Sequence, residues 1–345
     1  VLENAGKLDF PFRRWQIQKV WRGERPQQGR FREFTQADID IVARDVLPFH
    51  FDVEVARVIA EALAGLPIPT ATLHISNSKI LEGFYLGLGV ADPAAVMQVV
   101  DKLDKVPAER IRELLLEQGL DGTQADQILA LAQIVTTDTS FVGRVEALGV
   151  EHELLAEGLS ELAQVIEGAS GVDGVIVTAD LRIARGLDYY TGTVFETRLA
   201  GWEHLGSICS GGRYDKLAQD RKATYPGVGI SLGVSRLLVP LELSASRSVP
   251  SVVLVAVDAE DSRADSDAIA RHLRAHGIPT EVAPKAAKFG KQIQVAEKRG
   301  IPFVWFPPSS VKDIRTGDQV DADPATWAPP TEDLIPAILS KEQLS

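Results

Sequence analysis

Between Val20 and Asp40 the chain reads Val-Trp-Arg-Gly-Glu-Arg-Pro-Gln-Gln-Gly-Arg-Phe-Arg-Glu-Phe-Thr-Gln-Ala-Asp-Ile-Asp, and the pattern of its second half narrows the possible folds sharply. Strand alternation puts Arg32, Phe34, Gln36, Asp38 and Asp40 on one face. A cation, an aromatic ring, an amide and two carboxylates do not make a core-facing stripe. The face must meet a ligand, or else carry surface ion pairs. Trp15, Ile17, Phe31, Phe34, Ile39 and Ile41 supply β-favouring residues, and Pro26 and Gly29 punctuate the middle. Phe10 to Val42 therefore reads as a long antiparallel hairpin. Arg22 on the first strand lies across from the polar face, where a guanidinium can grip a phosphate oxygen pair and Phe34 can stack under a purine.

Charge sharpens this expectation. The 345 residues carry 48 acidic and 36 basic side chains, a net of −12, which argues against indiscriminate coating of nucleic acid, DNA included. Yet Lys7 to Arg32 holds eight basic residues against two acids, and Lys285 to Arg299 holds five against Glu297. Such clusters in an acidic chain suggest a defined anionic ligand, phosphate being the commonest. A single cysteine, Cys209, excludes an intramolecular disulfide and a Cys-rich zinc site, so a reducing cytoplasm is the default. No apolar run reaches 18 residues, and Val1 to Asn4 lacks the basic flank of a signal peptide, so no membrane partner is expected. The opening lacks Met and begins as if within a helix, so upstream sequence is expected to be missing.

The length suggests two or three domains. Residues 1–88 read as mixed α/β, with a helix over Val53–Leu63 and a strand over Thr70–Ile75. Residues 89–170 are rich in Ala, Leu, Glu and Gln at helical spacing and read as a helical insertion. Strands return in 171–243, around Val175–Val177, Thr193–Glu196, Ile208 and Ile230, before a helix over Val234–Leu241. The small polar stretch 244–250 reads as a linker. Residues 251–345 alternate strand and helix and read as a separate α/β domain. The expected class is α/β: an antiparallel sheet flanked by helices, interrupted by a helical insertion, with a second α/β unit behind it.

Several chemistries are excluded. There is no P-loop, and Gly227-Val-Gly229-Ile-Ser-Leu-Gly233 has one residue too many for a dinucleotide fingerprint. His152-Glu153 lacks the second histidine of a zinc-protease helix, and no G-x-S-x-G occurs. His74, His204, His272 and His276 have no partners at metal spacing, and Cys209 and Ser210 read as packing residues.

Arg22-Gly-Glu24-Arg25-Pro with Arg32-Glu-Phe34-Thr-Gln36-Ala-Asp38-Ile-Asp40 resembles motif 2 of class II aminoacyl-tRNA synthetases. Arg185-Gly-Leu-Asp188-Tyr189-Tyr190-Thr-Gly-Thr-Val-Phe-Glu196 and Ser210-Gly211-Gly212-Arg213-Tyr214-Asp215 resemble the two histidine signatures of the histidyl-tRNA synthetase family. Gly227 to Leu237 resembles motif 3, and Phe289 to Pro302 resembles the family's anticodon-binding domain. Motif 1 and the N-terminal part are not visible.

The resemblance implies activation of L-histidine with ATP and Mg2+, transfer to tRNA(His), and a cytoplasmic homodimer. It implies catalytic roles for Arg22 and Arg185, and contacts to ATP from Arg22, Glu24, Phe34, Arg185 and Arg236. It implies contacts to histidine from Arg22, Gln36, Asp40, Arg185, Tyr189, Tyr190, Gly211, Gly212 and Tyr214, and to tRNA from Lys285, Lys288, Lys291, Lys298 and Arg299. No metal site made of protein side chains alone is implied. The rival reading is a catalytically inactive paralogue that regulates ATP phosphoribosyltransferase in histidine biosynthesis; such relatives lose parts of the arginine and tyrosine signatures and lack the anticodon-binding tail.

Overall fold

The computed structural model describes residues 1–23, 25, 29–184, 189–240 and 247–334. The chain divides into two compact units, Val1–Glu242 and Leu243–Ser345. In the first, the hairpin is β1 (Phe12–Trp21) and β2 (Glu33–Val42), followed by α1 (His50–Ala64), β3 (Ala71–Asn77) and α2 (Ser78–Gly87). The helical segment holds α3 (Pro93–Val100), α4 (Ala108–Glu117), α5 (Gly122–Ala132), the two-residue β4 (Val135–Thr136), α6 (Phe141–Glu146) and α7 (Glu153–Ala169). The unit closes with β5 (Val175–Asp180), β6 (Thr193–Leu199), β7 (Cys209–Tyr214), β8 (Gly227–Leu232) and the single turn α8 (Val234–Leu237). The last is shorter than the expected helix, whose final residue, Leu241, lies outside the described residues.

These strands form one sheet in the order β1-β2-β8-β7-β6-β3-β5-β4, antiparallel throughout except for β3 beside β5. The hairpin and the segment after the insertion thus share a sheet. Arg22 N–H donates to the Arg32 carbonyl at 2.9 Å, which keeps the hairpin register beyond the strand ends and places Arg22 on the face of Phe34, Gln36, Asp38 and Asp40. The opposite face carries Ile41, Ile230, Phe195, Leu73, Ile75 and Val177, all buried under α1 and α7. Helices cover one face; the other is left for the polar row.

The stretch 89–170 packs as part of the first unit. Its core runs continuously into that of the sheet, and α7 lies along α1 and α2 as part of the layer that covers the sheet. Helix α2 was not anticipated, and its contact with α7 depends on two glycines. A Cβ on Gly83 would overlap the backbone of Leu154 and Leu155, and one on Gly158 would sit 2.7 Å from the Ile80 nitrogen.

The second unit is a sheet in the order β10-β9-β11-β12-β13, from β9 (Val253–Val255), β10 (Thr280–Val282), β11 (Phe303–Phe306), β12 (Ser310–Asp313) and β13 (Gln319–Asp321). Helices α9 (Arg263–Ala275) and α10 (Phe289–Arg299) occupy opposite faces: Val253 and Val255 pack with Ile269 and Leu273, while Leu254 packs with Ala296. Among the described residues no helix is long and apolar enough to cross a membrane.

Gly83→Ala should gain about 1 kcal/mol of helix propensity but lose more, about 3 kcal/mol, to overpacking against the α7 backbone. A lower urea midpoint is expected; an unchanged or higher one would show that the two helices are not held in backbone contact.

Candidate active site

Two cavities open side by side on the polar sheet face. The first is lined by Arg22, Gly29, Arg30, Phe31, Phe34, Gln36, Ser207, Ile208, Ser210, Ser231, Gly233 and Arg236. The second is lined by residues including Arg14, Asp40, Tyr189, Tyr190, Ser210, Gly211, Tyr214, Gly229 and Ser231. They share Ser210 and Ser231, which face each other across β7 and β8. Expected site residues separated by as many as 214 positions in sequence therefore line two compartments with a common wall. Ser210, read from sequence as packing, is instead exposed at that wall, whereas Cys209 is buried and its thiol is pushed far above the usual range by burial.

In the first cavity the orientation of Arg22 is set by a chain of side chains. Arg22 Nη2 donates to Gln36 Oε1 at 3.1 Å, Gln36 Nε2 donates to Asp38 Oδ1 at 2.6 Å, and Gln16 Nε2 donates to Asp38 Oδ2 at 3.0 Å. Gln36 is only 8% exposed, so its amide has little freedom to turn. The Arg22 guanidinium also lies 5.1 Å from the centre of the Phe34 ring. Arg236, in the single turn α8, donates from Nε to the Gly29 carbonyl at 2.9 Å and from Nη1 to the Ser207 carbonyl, which pins its side chain against the cavity wall. Fixed cations around a ring and three serines suit a nucleotide. Among the described residues no carboxylate lines this cavity, and no cluster of three or more His, Cys, Asp or Glu could hold a metal.

The second cavity is built for a small polar ring. Tyr214 Oη donates to Asp40 Oδ1 at 2.7 Å, and Arg14, opposite Asp40 on β1, approaches Oδ2 at 3.3 Å. Burial, followed by the nearby Asp40 charge, pushes the Tyr214 phenol above its ordinary range, and burial with the Tyr189 hydrogen bond does the same for Tyr190. Both remain neutral hydroxyls at physiological pH. The Tyr189 and Tyr190 rings stand 4.3 Å apart, and Gly212 lies beneath Tyr190, where a Cβ would come within 2.7 Å of the ring. A Cβ at Gly229 would overlap the Asp40 carboxylate, and one at Gly227 the Tyr214 ring. The glycines of the motif 3 stretch, which as small residues permit a close approach, are thus the space in which two site residues sit.

Arg185 and Glu24, expected at the first cavity, lie outside the described residues. In the second unit Lys285, Lys288, Lys291 and Lys298 are exposed, whereas Arg299 is half-buried and pairs with Glu281 at 2.7 Å. Gln292, buried in α10, bonds both the N–H and the carbonyl of Val257 and the Ala287 carbonyl, anchoring the segment that carries the first two lysines. His74 is bonded to Asp180 at 3.0 Å.

The Histidyl-tRNA synthetase family model matches residues 5–237, and the Anticodon binding domain model matches residues 251–306. The chain belongs to the histidyl-tRNA synthetase family. The histidine–tRNA ligase of Cutibacterium acnes is 57% identical over 357 residues, covering 98% of this chain and 79% of that protein. The crystal structure of histidyl-tRNA synthetase from Nostoc sp. PCC 7120 has a TM-score of 0.83 at 32% identity, covering 93% of this chain and 78% of that one. An ATP phosphoribosyltransferase regulatory subunit/histidyl-tRNA synthetase from Bacillus halodurans shares the fold, with a TM-score of 0.68 at 17% identity over 88% of this chain and 75% of that one.

Behind the synthetase site, sequence reasoning missed a buried charge. Asp52 on α1 is 0% exposed, and its Oδ2 accepts from Arg213 Nη1 at 2.8 Å. Burial pushes its carboxyl up to about 6 against the pull of the guanidinium. A carboxyl with a higher pKa in the folded chain binds protons more tightly there, so its stabilising contribution is complete below the unfolded value of about 4 and is lost as pH rises through about 6. Relative to Asp52→Asn, the parent should therefore gain about 1 kcal/mol of unfolding free energy between pH 7 and pH 5, read from urea titrations at both. A difference that stays flat or shrinks would contradict the raised pKa.

Proposed function

We propose that the chain is a histidine–tRNA ligase that activates L-histidine with ATP in the paired cavities and passes the histidyl group to the 3′ end of tRNA(His). The observation that carries this reading is the common wall of Ser210 and Ser231, because an amino-acid carboxylate held in one compartment can reach a phosphate held in the other. In the first step the histidine carboxylate attacks the α-phosphorus of ATP, an acyl phosphate bond forms, and pyrophosphate leaves. The nucleophile is already an anion and needs no general base, so catalysis is positioning plus stabilisation of charge on the phosphate oxygens. In the second step a terminal ribose hydroxyl of the tRNA attacks the carbonyl carbon and AMP leaves.

Arg22, aimed by Gln36, would meet the α-phosphate and the carboxylate, with Arg185 approaching from the other side. Phe34 and Arg236 would take the two faces of the adenine, Arg236 also meeting the γ-phosphate, and Glu24 would read its edge. Asp40 and Tyr190 would complement the donor and acceptor of a neutral imidazole, with Gln36 at the polar end of the amino acid. Tyr189, Tyr214, Gly211 and Gly212 complete the pocket. A non-polar isostere of the side chain would leave these buried groups unpaired, which is the basis of rejection. Mg2+ would be carried in on the nucleotide's phosphates.

The exposed lysines at 285, 288, 291 and 298 suit anticodon phosphates. A homodimer is supported by an uncovered apolar strip on the edge strand β1, where Trp15, Ile17 and Trp21 are 76%, 63% and 69% exposed. A cytoplasmic location accords with the single buried, free cysteine. Retention of Arg22 and of the three tyrosines, together with the anticodon-type second unit, weighs against the regulatory paralogue.

ATP–pyrophosphate exchange that depends on histidine tests the reading. In the full-length protein, Arg22→Ala should lower the exchange kcat by about 100-fold, equivalent to about 3 kcal/mol of transition-state stabilisation, while Asp40→Ala should act chiefly on the KM for histidine. An exchange rate equal to the parent's in Arg22→Ala, or an unchanged histidine KM in Asp40→Ala, would show that role to be misassigned.

A further inference from the structure

Arg213 belongs to a sequence signature, yet it points away from both cavities. The pleat places it on the helix-covered face of β7 while its neighbour Tyr214 faces the amino-acid cavity. All three of its guanidinium nitrogens are engaged: Nη1 donates to Asp52 Oδ2 at 2.8 Å, Nη2 to the Leu47 carbonyl at 2.7 Å, and Nε to Asp215 Oδ1 at 3.0 Å. Asp215 in turn ties down the segment that ends in the pocket tyrosines. Its Oδ2 accepts from Thr191 Oγ1 at 2.5 Å, its backbone N–H donates back to Thr191 Oγ1 at 3.1 Å, and the Thr191 N–H donates to the Arg213 carbonyl at 2.9 Å. Gly192 follows directly, and a Cβ there would come within 3.0 Å of the Arg213 side chain. Asp52 is the far end of this arrangement, and it sits on a helix whose other sheet-facing residues, Val55, Ala56, Ile59, Ala60 and Leu63, are apolar. An aliphatic residue would satisfy packing at that position; a buried carboxylate adds little stability by itself.

We infer that Asp52 and Arg213 are positioning residues for histidine recognition: the buried pair holds Asp215 and Thr191 in place and so fixes Tyr189 and Tyr190 against Tyr214 and Asp40. The inference rests on the ligase reading for its kinetic consequence, but the tether itself is a matter of geometry. It predicts an asymmetry between substrates. In the first cavity Phe34 meets Arg22 and Arg236 is held by Gly29 and Ser207, and none of these contacts passes through Arg213, so loosening the tether should disturb histidine and leave ATP alone.

Two variants of the full-length protein test it. Asp52→Asn keeps the shape and removes the charge at the buried end. Thr191→Val breaks the tether at its other end without touching the buried pair, and decides the matter if Asp52→Asn does not fold. In each folded variant the histidine KM in pyrophosphate exchange should rise at least tenfold with the ATP KM within twofold of the parent. Hydrogen exchange should quicken at least tenfold at the Thr191 amide while the amides of α1 stay as protected as in the parent. A purely structural role would instead move both KM values together or loosen α1 as well, and either result overturns the inference, as does a histidine KM within twofold of the parent. Should the parent itself show no exchange activity, the ligase reading fails, and the Thr191 amide still decides whether the tether exists.

Discussion

Successive side chains of a strand point to opposite faces, and in the eight-stranded sheet the two faces have opposite fates. Isoleucines, leucines and a phenylalanine from β2, β3, β6 and β8 are buried under α1 and α7, which fixes the strand registers, since a slip of one residue would bring the polar row into the core. Once that face is buried, Gln36, Asp38 and Asp40 have no choice but to look the other way, and Ser231, Gly229, Ser210 and Gly212 line up beside them through the pairings of β8 and β7. The site is therefore a by-product of the packing on its back. Its close geometry comes from what is left out: glycines at 227 and 229 open the space that Tyr214 and Asp40 occupy.

The same logic governs the electrostatics. Arg22, Gln36, Asp38 and Gln16 form a relay across two strands, so the guanidinium is aimed before any ligand arrives, and Asp40 is gripped by Tyr214 and Arg14. Charges held in this way need little reorganisation when a reaction develops new charge nearby. The buried Asp52–Arg213 pair does the corresponding work behind the sheet, where a charge is hard to keep and has to be hydrogen-bonded to persist.

The hairpin was legible because alternation and arginine content coincide there; of the nine positions expected at histidine, Asp40, Tyr189, Tyr190, Gly211 and Tyr214 line one cavity, Gly212 lies beneath Tyr190, Arg22 and Gln36 line the other cavity, and Arg185 lies outside the described residues. Other features left a weaker trace. Helix α2 is only ten residues long and carries glycines at 83 and 87, which interrupt a run whose apolar periodicity is otherwise as strong as that of α1. Strands β12 and β13 are short and largely polar, which reads as loop. Asp52 and Arg213 are 161 positions apart, and no local pattern marks a long-range ion pair. Ser210 looked like packing beside Cys209, but the pleat sends the two to opposite faces. Arg14 could have been found by extending the parity of Gln36, Asp38 and Asp40 across the hairpin.

The central claim is that one sheet face binds an amino acid and a nucleotide in adjoining compartments with a common wall. A crystal structure of the full-length protein with a non-hydrolysable analogue of histidyl-adenylate tests it most directly. The imidazole is expected between Asp40, Tyr190 and Tyr214, the phosphate mimic at Arg22 and across the Ser210–Ser231 wall, and the adenine between Phe34 and Arg236. An adenine or an imidazole seated away from this face would contradict it.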